Sequence, residues 1–174
     1  MSRLAKLAPG GLDRAGFLAR YGGVYEHSPW IAAAVWDEGA VADEAETVAG
    51  AMAARVEAAG EEAQLALLRA HPDLAGKLAV RGDLTADSTS EQAGAGLERC
   101  SPEEFAEFKR LNDAYQARFG FPFIIAVKGL ERAAILAAFR RRAANGRTTE
   151  LREALDQVHR IARNRLQALA EESP

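Results

Sequence analysis

Apolar residues recur every three or four positions along most of this 174-residue chain, a spacing typical of one buried face of an α-helix. The clearest run follows Ser101-Pro102-Glu103-Glu104, which combines a serine capping box with proline at the first helical position. Gly120 comes directly after the run and is a typical helix terminator. The apolar members of the run are Phe105, Phe108, Leu111, Tyr115 and Phe119. The pattern predicts an amphipathic helix between the serine cap and the glycine.

Start and stop signals predict further helices elsewhere in the chain. One of them must stop at His71, because Pro72 disfavours helical geometry in the residue before it. The predicted helices start behind an N-cap at Ser28 and Pro29, run from about Glu44 to Ala59 ahead of a left-handed Gly60, from Glu61 to about Ala70, from Leu130 to Asn145 ahead of Gly146, and from a Thr149 cap to about Glu171. We therefore expect an all-α fold, a single-domain compact helical bundle of about seven to nine helices over residues 1–174.

Two stretches interrupt the helical period. Residues 74–87, with glycines at 76 and 82, indicate a loop that has room for one short helix. Residues 121–127 form a short apolar run for which the sequence offers no partner strand, so we expect one extended segment through a helical core. The backbone groups of such a segment lack a helix or a sheet ladder and must find other partners, of which a ligand is one.

Composition and charge narrow the class of protein. Hydrophobic residues make up 48% of the chain, yet no apolar run approaches the ~20 residues that a membrane helix requires, so we expect no membrane partner. Neither end resembles a secretory signal or a peroxisomal address, which favours a cytoplasmic protein. The net charge of -3 argues against a nucleic-acid partner, and the one basic cluster, Arg140-Arg141-Arg142, is typical of a solvated helix end.

The three histidines and the single cysteine make poor material for a metal site, because no H-x-x-x-H or C-x-x-C spacing brings two of them together. We therefore expect neither a metal nor a disulfide. Cys100 lacks an adjacent base that would activate its thiol, and the positions of His27 and His159 are more typical of structure than of chemistry. Gln92-Ala93-Gly94-Ala95-Gly96 contains a G-x-G pattern, but without a preceding strand it favours a turn or close helix packing.

His71 is the strongest candidate for proton transfer. It lies where a helix ends and a proline redirects the chain, and it shares a helix face with Leu65 and Leu68 that is expected to point inward. Histidine is the side chain best suited to passing a proton near neutral pH. The alternative is a helix-terminal imidazole that caps free carbonyl groups, and spacing alone favours that alternative.

The run Ser88-Thr89-Ser90-Glu91-Gln92 allows two interpretations, which do not exclude each other. Ser88 and Glu91 form an S-x-x-E capping box that would open a short helix. The free N–H groups of that helix start would also attract an anion, and Glu91 beside a histidine could orient it or share a proton with it. The sequence alone favours the cap.

Arg165 is expected to point into the protein. On the last predicted helix it falls about 40° from the apolar line that starts at Leu151, at 100° per residue. A buried arginine must meet an anion, because an unpaired buried charge costs several kcal/mol. That anion is either an Asp or Glu of the protein or a carboxylate of a ligand, and the spacing leaves both open.

Five motifs, in order and in register, resemble the family of 2-oxo-4-hydroxy-4-carboxy-5-ureidoimidazoline (OHCU) decarboxylases. They are Tyr25-Glu26-His27-Ser28-Pro29-Trp30, His71-Pro72-Asp73-Leu74-Ala75-Gly76, Ser88-x-x-Glu91-Gln92, Phe119-Gly120-Phe121-Pro122-Phe123-Ile124 and Arg165-Leu166. One such motif alone is a weak signal, but five that cover almost the whole chain are specific.

The resemblance implies a homodimer of all-α domains that needs neither a metal nor an organic cofactor. It implies the decarboxylation of the small molecule OHCU to (S)-allantoin in urate breakdown, with His71 as the catalytic acid and Glu91 working beside it. Arg165 would hold an anionic or carbonyl part of the substrate. The other residues implied to line the substrate are Pro72, Ser88, Thr89, Ser90 and Gln92 and, largely through their backbone groups, Phe123, Ile124, Ile125, Ala126 and Val127.

Two other functions remain open at this stage. One is a lyase or hydrolase of a related ureido acid that uses the same histidine, glutamate and arginine. The other is a non-catalytic helical module that binds a purine metabolite. The enzymatic interpretations require His71 and Arg165, which are distant in sequence, to reach one sheltered cleft.

Overall fold

Eight α-helices make up most of the computed structural model, which describes residues 11–75 and 84–172. Within these residues no β-strand occurs, so the all-α prediction is confirmed. A single turn of 3₁₀ helix spans Leu97–Arg99. The helices are α1 (Arg14–Tyr21), α2 (Trp30–Asp37), α3 (Ala45–Ala58), α4 (Glu61–Arg69), α5 (Ala86–Gly94), α6 (Pro102–Phe119), α7 (Arg132–Arg142) and α8 (Arg147–Glu171).

The clearest sequence signals mark true helix ends. The Ser101 hydroxyl accepts the Glu104 N–H at 3.1 Å, and the Glu104 carboxylate accepts the Ser101 N–H at 3.3 Å, so the predicted capping box opens α6. Gly120 ends α6 in the left-handed conformation, with φ 79°. Helix α4 stops at Arg69, just before the histidine and proline that were expected to end it. These predictions are confirmed.

Other predicted caps are wrong. Helix α2 has Pro29 rather than Ser28 at its N-cap, because the Ser28 hydroxyl donates to the Glu26 carbonyl at 2.9 Å instead. Helix α8 begins at Arg147, so Thr149 lies inside its first turn. Gly60 does have a positive φ of 86°, but its ψ of 164° is not left-handed helical and it serves as the N-cap of α4. Helix α7 is shorter at both ends than the predicted 130–145.

The described residues divide into two units. The first comprises the described residues 11–70 and 158–172, with α1 to α4 and the last part of α8. Consecutive helices α1, α2, α3 and α4 pack against one another, as their short connections favour. Its fully buried apolar side chains include Phe17, Ile31, Val35, Val48, Met52, Val56, Leu68 and Leu166. Because two units are distinguished, the single-domain interpretation stays a prediction.

The second unit, His71–Gln157, is built around aromatic rings. Phe123 stacks on Phe139 with ring centroids 3.9 Å apart and planes 9° from parallel. Tyr115 meets both rings edge-on, at 5.5 Å and 5.9 Å, and contacts Phe119 at 4.5 Å. Offset stacked and edge-to-face pairs of this kind add about 0.5–1.5 kcal/mol beyond simple burial. The stripe predicted on α6 therefore forms part of the core of this unit, except for Phe105, which is 38% exposed.

Of the two interruptions of the helical pattern, the structure describes residues 121–127 in full and residues 74–87 only in part. Residues 121–127 belong to no helix and no strand, and all of them are buried, which confirms the predicted lone segment. In the stretch 74–87, helix α5 begins at Ala86, while residues 76–83, including both glycines, lie outside the described residues.

The prediction that Arg140-Arg141-Arg142 is a solvated helix end is wrong for Arg142. Arg140 and Arg141 are exposed as expected of a solvated helix end, but Arg142 is only 2% exposed. It is buried because Glu150, which is 0% exposed, lies within 3.1 Å as an ion-pair partner. None of the helices in the described part of the chain is long and apolar enough to cross a membrane.

The capping box gives a test of the helix boundaries. Ser101→Ala should lower the free energy of unfolding by about 1 kcal/mol, because the Glu104 N–H loses the hydroxyl that accepts it. Thr149→Ala is the matched control, since Thr149 lies inside α8, and it should change the free energy by less than about 0.5 kcal/mol. Urea unfolding followed by circular dichroism measures both. A loss at Thr149 as large as that at Ser101 would contradict the assigned start of α8.

Candidate active site

His71 is buried in the second unit, with 8% of its surface exposed. It follows α4 in the sequence at a bend, and the half-buried Pro72 comes next. The burial agrees with the inward orientation expected from its spacing to the leucines of α4. A sheltered imidazole is suited to proton transfer because its partners and solvent access are restricted.

Gln92 holds the backbone of the loop behind His71. Its Oε1 atom accepts the Ala75 N–H at 3.1 Å, and its Nε2 atom donates to the Asp73 carbonyl at 3.5 Å. Ala75 has a φ of 49°, a left-handed conformation that costs free energy for a residue with a Cβ and persists only where the surroundings enforce it. Gln92, predicted to line the substrate, therefore connects the His71 loop to α5.

Asn112 gives the same loop a second anchor, which the sequence analysis missed. Its Nδ2 atom donates to the Leu74 carbonyl at 2.9 Å. Asn112 is 5% exposed and lies within the apolar stripe of α6, between Leu111 and Tyr115. A polar residue on the buried side of an amphipathic helix was the available signal, the same signal that singled out Arg165.

Helix α5 carries the predicted Ser88–Gln92 run, but the predicted cap is wrong. The N-cap is Thr85, whose Oγ1 atom accepts the Ser88 N–H at 3.2 Å, so Ser88 lies inside the first turn instead of opening it. Thr85 provides the acceptor expected of Ser88, three residues earlier. Ser88 is 5% exposed, Glu91 is half-buried, and Thr89 and Ser90 are exposed.

Half-burial also affects the carboxyl group next to Pro72. Desolvation, together with the nearby Asp113 carboxylate, raises the pKa of Asp73 above its ordinary value. Both effects disfavour the charged form of the group. Asp73, two residues after His71, is thus a carboxyl group whose charged form is disfavoured by burial and by the Asp113 carboxylate.

The segment 121–127 uses side chains of α7 and α8 as partners for its backbone. The Ile124 carbonyl accepts a hydrogen bond from Arg142 Nη1 at 2.7 Å, and the Ala126 N–H donates to Gln157 Oε1 at 2.9 Å. The Val127 carbonyl accepts the Leu130 N–H at 2.9 Å. Among the described residues, five N–H groups of the segment have no hydrogen-bond partner, those of Phe121, Phe123, Ile124, Ile125 and Val127. These are the backbone donors that a ligand could use.

A buried polar cluster supports this segment. Glu150 accepts hydrogen bonds from Arg142 Nε and Nη2, from Asn145 Nδ2 at 2.9 Å and from the Tyr115 hydroxyl. Burial, followed by the hydrogen bond to the Glu150 carboxylate, raises the pKa of Tyr115, so the hydroxyl remains a donor. The Arg142 guanidinium lies 4.4 Å from the centroid of the Phe123 ring. The cluster joins α6, α7 and α8 to the segment.

Arg165 is buried in the first unit, as its spacing predicted, and it meets a protein anion. Its Nη1 atom lies 2.8 Å from Glu26 Oε2 and donates to the Val24 carbonyl at 3.3 Å. The side chains of Arg165 and Glu26 are 6% and 2% exposed. Of the two anions that the sequence left open for Arg165, a glutamate of the protein is therefore present. Whether Arg165 also meets a ligand, and whether it shares a cleft with His71, stay predictions.

Arg165 and His159 both contact the turn between α1 and α2. The Tyr25 hydroxyl lies 2.8 Å from His159 Nδ1, and His159 Nε2 lies 2.9 Å from Glu57 Oε1. Burial, and then the negative charge of Glu57, raises the pKa of Tyr25, which keeps its hydroxyl protonated. His159 therefore has the structural role that the sequence favoured. The exposed His27, with a φ of 48°, lies in the same turn.

A separate open cleft of about 660 Å³ lies in the second unit and contains none of the predicted site residues. Arg132 spans part of it, donating to the carbonyls of Gly96 at 3.0 Å and Arg99 at 2.6 Å and pairing with Glu104 at 3.0 Å. Gly96, with φ 75°, forms the turn that its G-x-G pattern favoured. In the described ranges, no group of three or more histidine, cysteine, aspartate or glutamate residues could hold a metal ion.

Comparison with known proteins gives one consistent result. The family model described as OHCU decarboxylase matches residues 11–167. A 2-oxo-4-hydroxy-4-carboxy-5-ureidoimidazoline decarboxylase of Haloferax volcanii is 44% identical over 155 residues, which cover 89% of this chain and 89% of that protein.

Solved structures have the same fold. The crystal structure of (S)-allantoin synthase superposes with a TM-score of 0.72 at 32% identity, covering 91% of this chain and 51% of that longer chain. An OHCU decarboxylase crystallised in the presence of (S)-allantoin superposes with a TM-score of 0.68 over 86% of this chain and 96% of that one, and at 22% identity it supports the fold alone. The family match and the Haloferax volcanii relative each extend over most of the sequence, and by them the chain belongs to the OHCU decarboxylase family.

Proposed function

We propose that this chain is a carboxy-lyase that converts OHCU to (S)-allantoin in the breakdown of urate. The family match and the named relatives support the reaction. The observation that carries the proposal is the buried His71, on a loop that Gln92 and Asn112 anchor through backbone hydrogen bonds. An imidazole positioned in this way suits acid–base chemistry on a small molecule better than it suits a helix cap.

The proposed substrate-binding residues are those that the family resemblance implies. His71, Pro72 and the α5 residues Ser88, Thr89, Ser90, Glu91 and Gln92 surround its hydroxyl and carboxylate end. The backbone of Phe123, Ile124, Ile125, Ala126 and Val127 binds the ring, with the N–H groups of Ile125 and Val127 as donors. Arg165 holds an anionic or carbonyl part of the substrate while it remains oriented by Glu26.

In the proposed mechanism the bond between the ring carbon and the carboxylate breaks, and carbon dioxide leaves. The electron pair left behind moves into the adjacent C=N bond of OHCU, which is why the reaction needs no electron sink from a cofactor. His71 and Glu91 hydrogen-bond the hydroxyl and carboxylate and turn the carboxylate out of the ring plane. A proton is then delivered to one face of the neighbouring ring carbon, which carries the ureido group and becomes the (S) centre, while the hydroxyl loses its proton and becomes the ring carbonyl. Preorganised donors at the developing charge contribute about 3–4 kcal/mol each.

We propose that the enzyme is a cytoplasmic homodimer. The net charge of -3 and the lack of a long apolar stretch support a protein with neither a membrane nor a nucleic-acid partner. Sedimentation velocity at micromolar concentration should give a species of about twice the chain mass of 18.7 kDa. A monomer at all concentrations would contradict the dimer.

Catalysis should be independent of metal and of organic cofactor. Dialysis against EDTA, followed by assay in chelator-treated buffer, should leave the rate of OHCU decarboxylation unchanged, because the proposed steps use only side chains and backbone groups. A rate that falls on dialysis and returns with one added divalent ion would contradict this mechanism.

The central test uses His71→Ala with OHCU generated freshly from urate. The variant should lose about 10²- to 10⁴-fold in kcat, because a positioned proton-transfer group is removed, and its far-UV circular dichroism should remain that of the parent. His27→Asn is the matched control: His27 is exposed, and asparagine tolerates its positive φ. Formation of (S)-allantoin is followed by its circular dichroism signal.

Each alternative predicts a different result in that assay. Full activity of a folded His71→Ala variant would place the chemistry elsewhere. A parent protein that OHCU stabilises thermally without turnover would be a binding module. Carbon dioxide release from another ureido acid, with none from OHCU, would indicate a related lyase.

The ion pair between Arg165 and Glu26 and the proposed contact of Arg165 with the substrate can be tested separately. Arg165→Ala should raise KM about 10- to 100-fold, since a hydrogen bond to a charged group contributes about 1.5–3 kcal/mol. Glu26→Gln removes the same ion pair but keeps the guanidinium, so it should lower the melting temperature with a much smaller change in KM. Equal losses of melting temperature with unchanged KM in both variants would show that the pair is structural only.

A further inference from the structure

We propose that Arg142 and Gln157 are positioning residues of the active site, which fix the segment 121–127 so that the backbone of Ile125 faces the substrate. This inference rests on the proposed function of the same site. Neither side chain belongs to the motifs that carry the family resemblance, and neither is proposed to touch the substrate. Both act through the backbone of the segment.

The hydrogen bonds of the segment alternate along the chain. Arg142 binds the carbonyl of Ile124, and Gln157 binds the N–H of Ala126, two residues further on. In an extended backbone, alternate residues direct their N–H and C=O groups to the same edge. The groups of Ile125 therefore point to the opposite edge, away from both side chains. The N–H of Ile125 has no partner among the described residues, a property that it shares with the N–H groups of Phe121, Phe123, Ile124 and Val127. Its place between the two side-chain contacts is what distinguishes it.

The same two contacts also polarise Ile125. The Ile124 carbonyl and the Ile125 N–H belong to one peptide group, so a hydrogen bond from the charged Arg142 to that carbonyl strengthens the N–H as a donor. The Ile125 carbonyl and the Ala126 N–H belong to the next peptide group. The bond from Ala126 to Gln157 strengthens that carbonyl as an acceptor. Ile125 thus presents a strengthened donor and a strengthened acceptor.

Each positioning side chain is itself held in place. Gln157 Nε2 donates to Glu153 Oε1 at 3.1 Å, which fixes the amide so that Oε1 faces Ala126. Arg142 is held by Glu150 and lies over the Phe123 ring. Gln157 and Arg142 are 8% and 2% exposed. Restricted side chains of this kind can define the position of a backbone group to a fraction of an ångström, which is the tolerance of a catalytic site.

Stability alone is a weak reason for the charged pair. Replacing a buried ion pair by well-packed apolar side chains is often neutral or stabilising, because both charges lose their hydration on burial. Arg142 does more than pair with Glu150, since its Nη1 atom provides the donor for the Ile124 carbonyl. A methionine could fill the space, but it could not make that bond.

The first experiment removes each contact while limiting the damage to the fold. Gln157→Leu removes the acceptor of the Ala126 N–H. The double variant Arg142→Met/Glu150→Gln removes both buried charges and leaves one amide oxygen as acceptor for either Tyr115 or Asn145, which donate to different oxygens of the Glu150 carboxylate. The matched control is Arg140→Met/Glu107→Gln, which removes an ion pair between the exposed Arg140 of α7 and the half-buried Glu107 of α6 without touching the segment.

With OHCU as substrate, both test variants should lose about 10- to 100-fold in kcat/KM, because small displacements of a binding group can cost up to about 10²-fold. The loss should be mainly in kcat, since a strengthened donor acts on developing charge. The control should remain within about twofold of the parent. Far-UV circular dichroism and the melting temperature verify that each variant is folded at the assay temperature.

The second experiment is a rescue. The swap Gln157→Glu/Glu153→Gln returns an acceptor to Ala126 and a donor partner beside it, so it should recover most of the activity that Gln157→Leu loses. If Gln157 has a purely structural role, the activity of the variants changes in parallel with their melting temperatures. If it has a positioning role, activity is high only in variants that keep an acceptor for the Ala126 N–H. Folded test variants with parental kcat and KM would overturn the inference, and so would a stable swap variant that remains as slow as Gln157→Leu.

The outcomes separate this inference from the proposed function. If the parent protein does not turn over OHCU, the proposed function fails and this inference fails with it. If the parent is active and His71→Ala is not, while the Arg142 and Gln157 variants match the parent, the proposed function stands and this inference alone fails.

Discussion

Buried backbone that is neither helix nor strand must be hydrogen-bonded by side chains, and this constraint governs the arrangement of the second unit. An amide or carbonyl group without a partner in such surroundings costs about as much as a lost hydrogen bond, so each one needs a side chain, a water molecule or a ligand as its partner. The loop 71–75 receives Gln92 and Asn112, and the segment 121–127 receives Arg142 and Gln157. All four side chains lie on helices and are largely buried.

The same constraint explains why polar residues occur within otherwise apolar helix faces. Asn112 lies among the aromatic residues of α6, and Glu150 and Gln157 lie beside buried alanine, leucine and valine on α8. In the first unit, Arg165 joins the Val24 carbonyl to Glu26 in a comparable way. Asn112, Gln157 and Arg165 each bind a backbone group of non-helical chain directly, whereas Glu150 acts on such backbone through Arg142.

The extent to which the sequence predicts this structure depends on how local each signal is. The capping box at Ser101, the left-handed Gly120 and the stop before His71 involve residues within one turn of each other, and all were predicted. Thr85 and Ser88 show where local signals become ambiguous, since both can cap a helix and only the true start of α5 decides between them. Non-local partners were not predictable in the same way. The burial of Arg165 follows from helical spacing, but its partner Glu26 lies 139 residues away.

Arg142 illustrates the limit most clearly. Three consecutive arginines at a helix end are usually solvated, because each charge has water on at least one side. Only the third one turns inward here, and it does so because Glu150 is already buried eight residues further on in the next helix. Nothing in the triplet itself identifies that member. A glutamate in the line of buried residues on α8 was the signal, and it points to a buried cation in the same way that Arg165 points to a buried anion. Examining apolar helix faces for every charged or amide residue, of either sign, would have found Asn112, Glu150 and Gln157 together with Arg165.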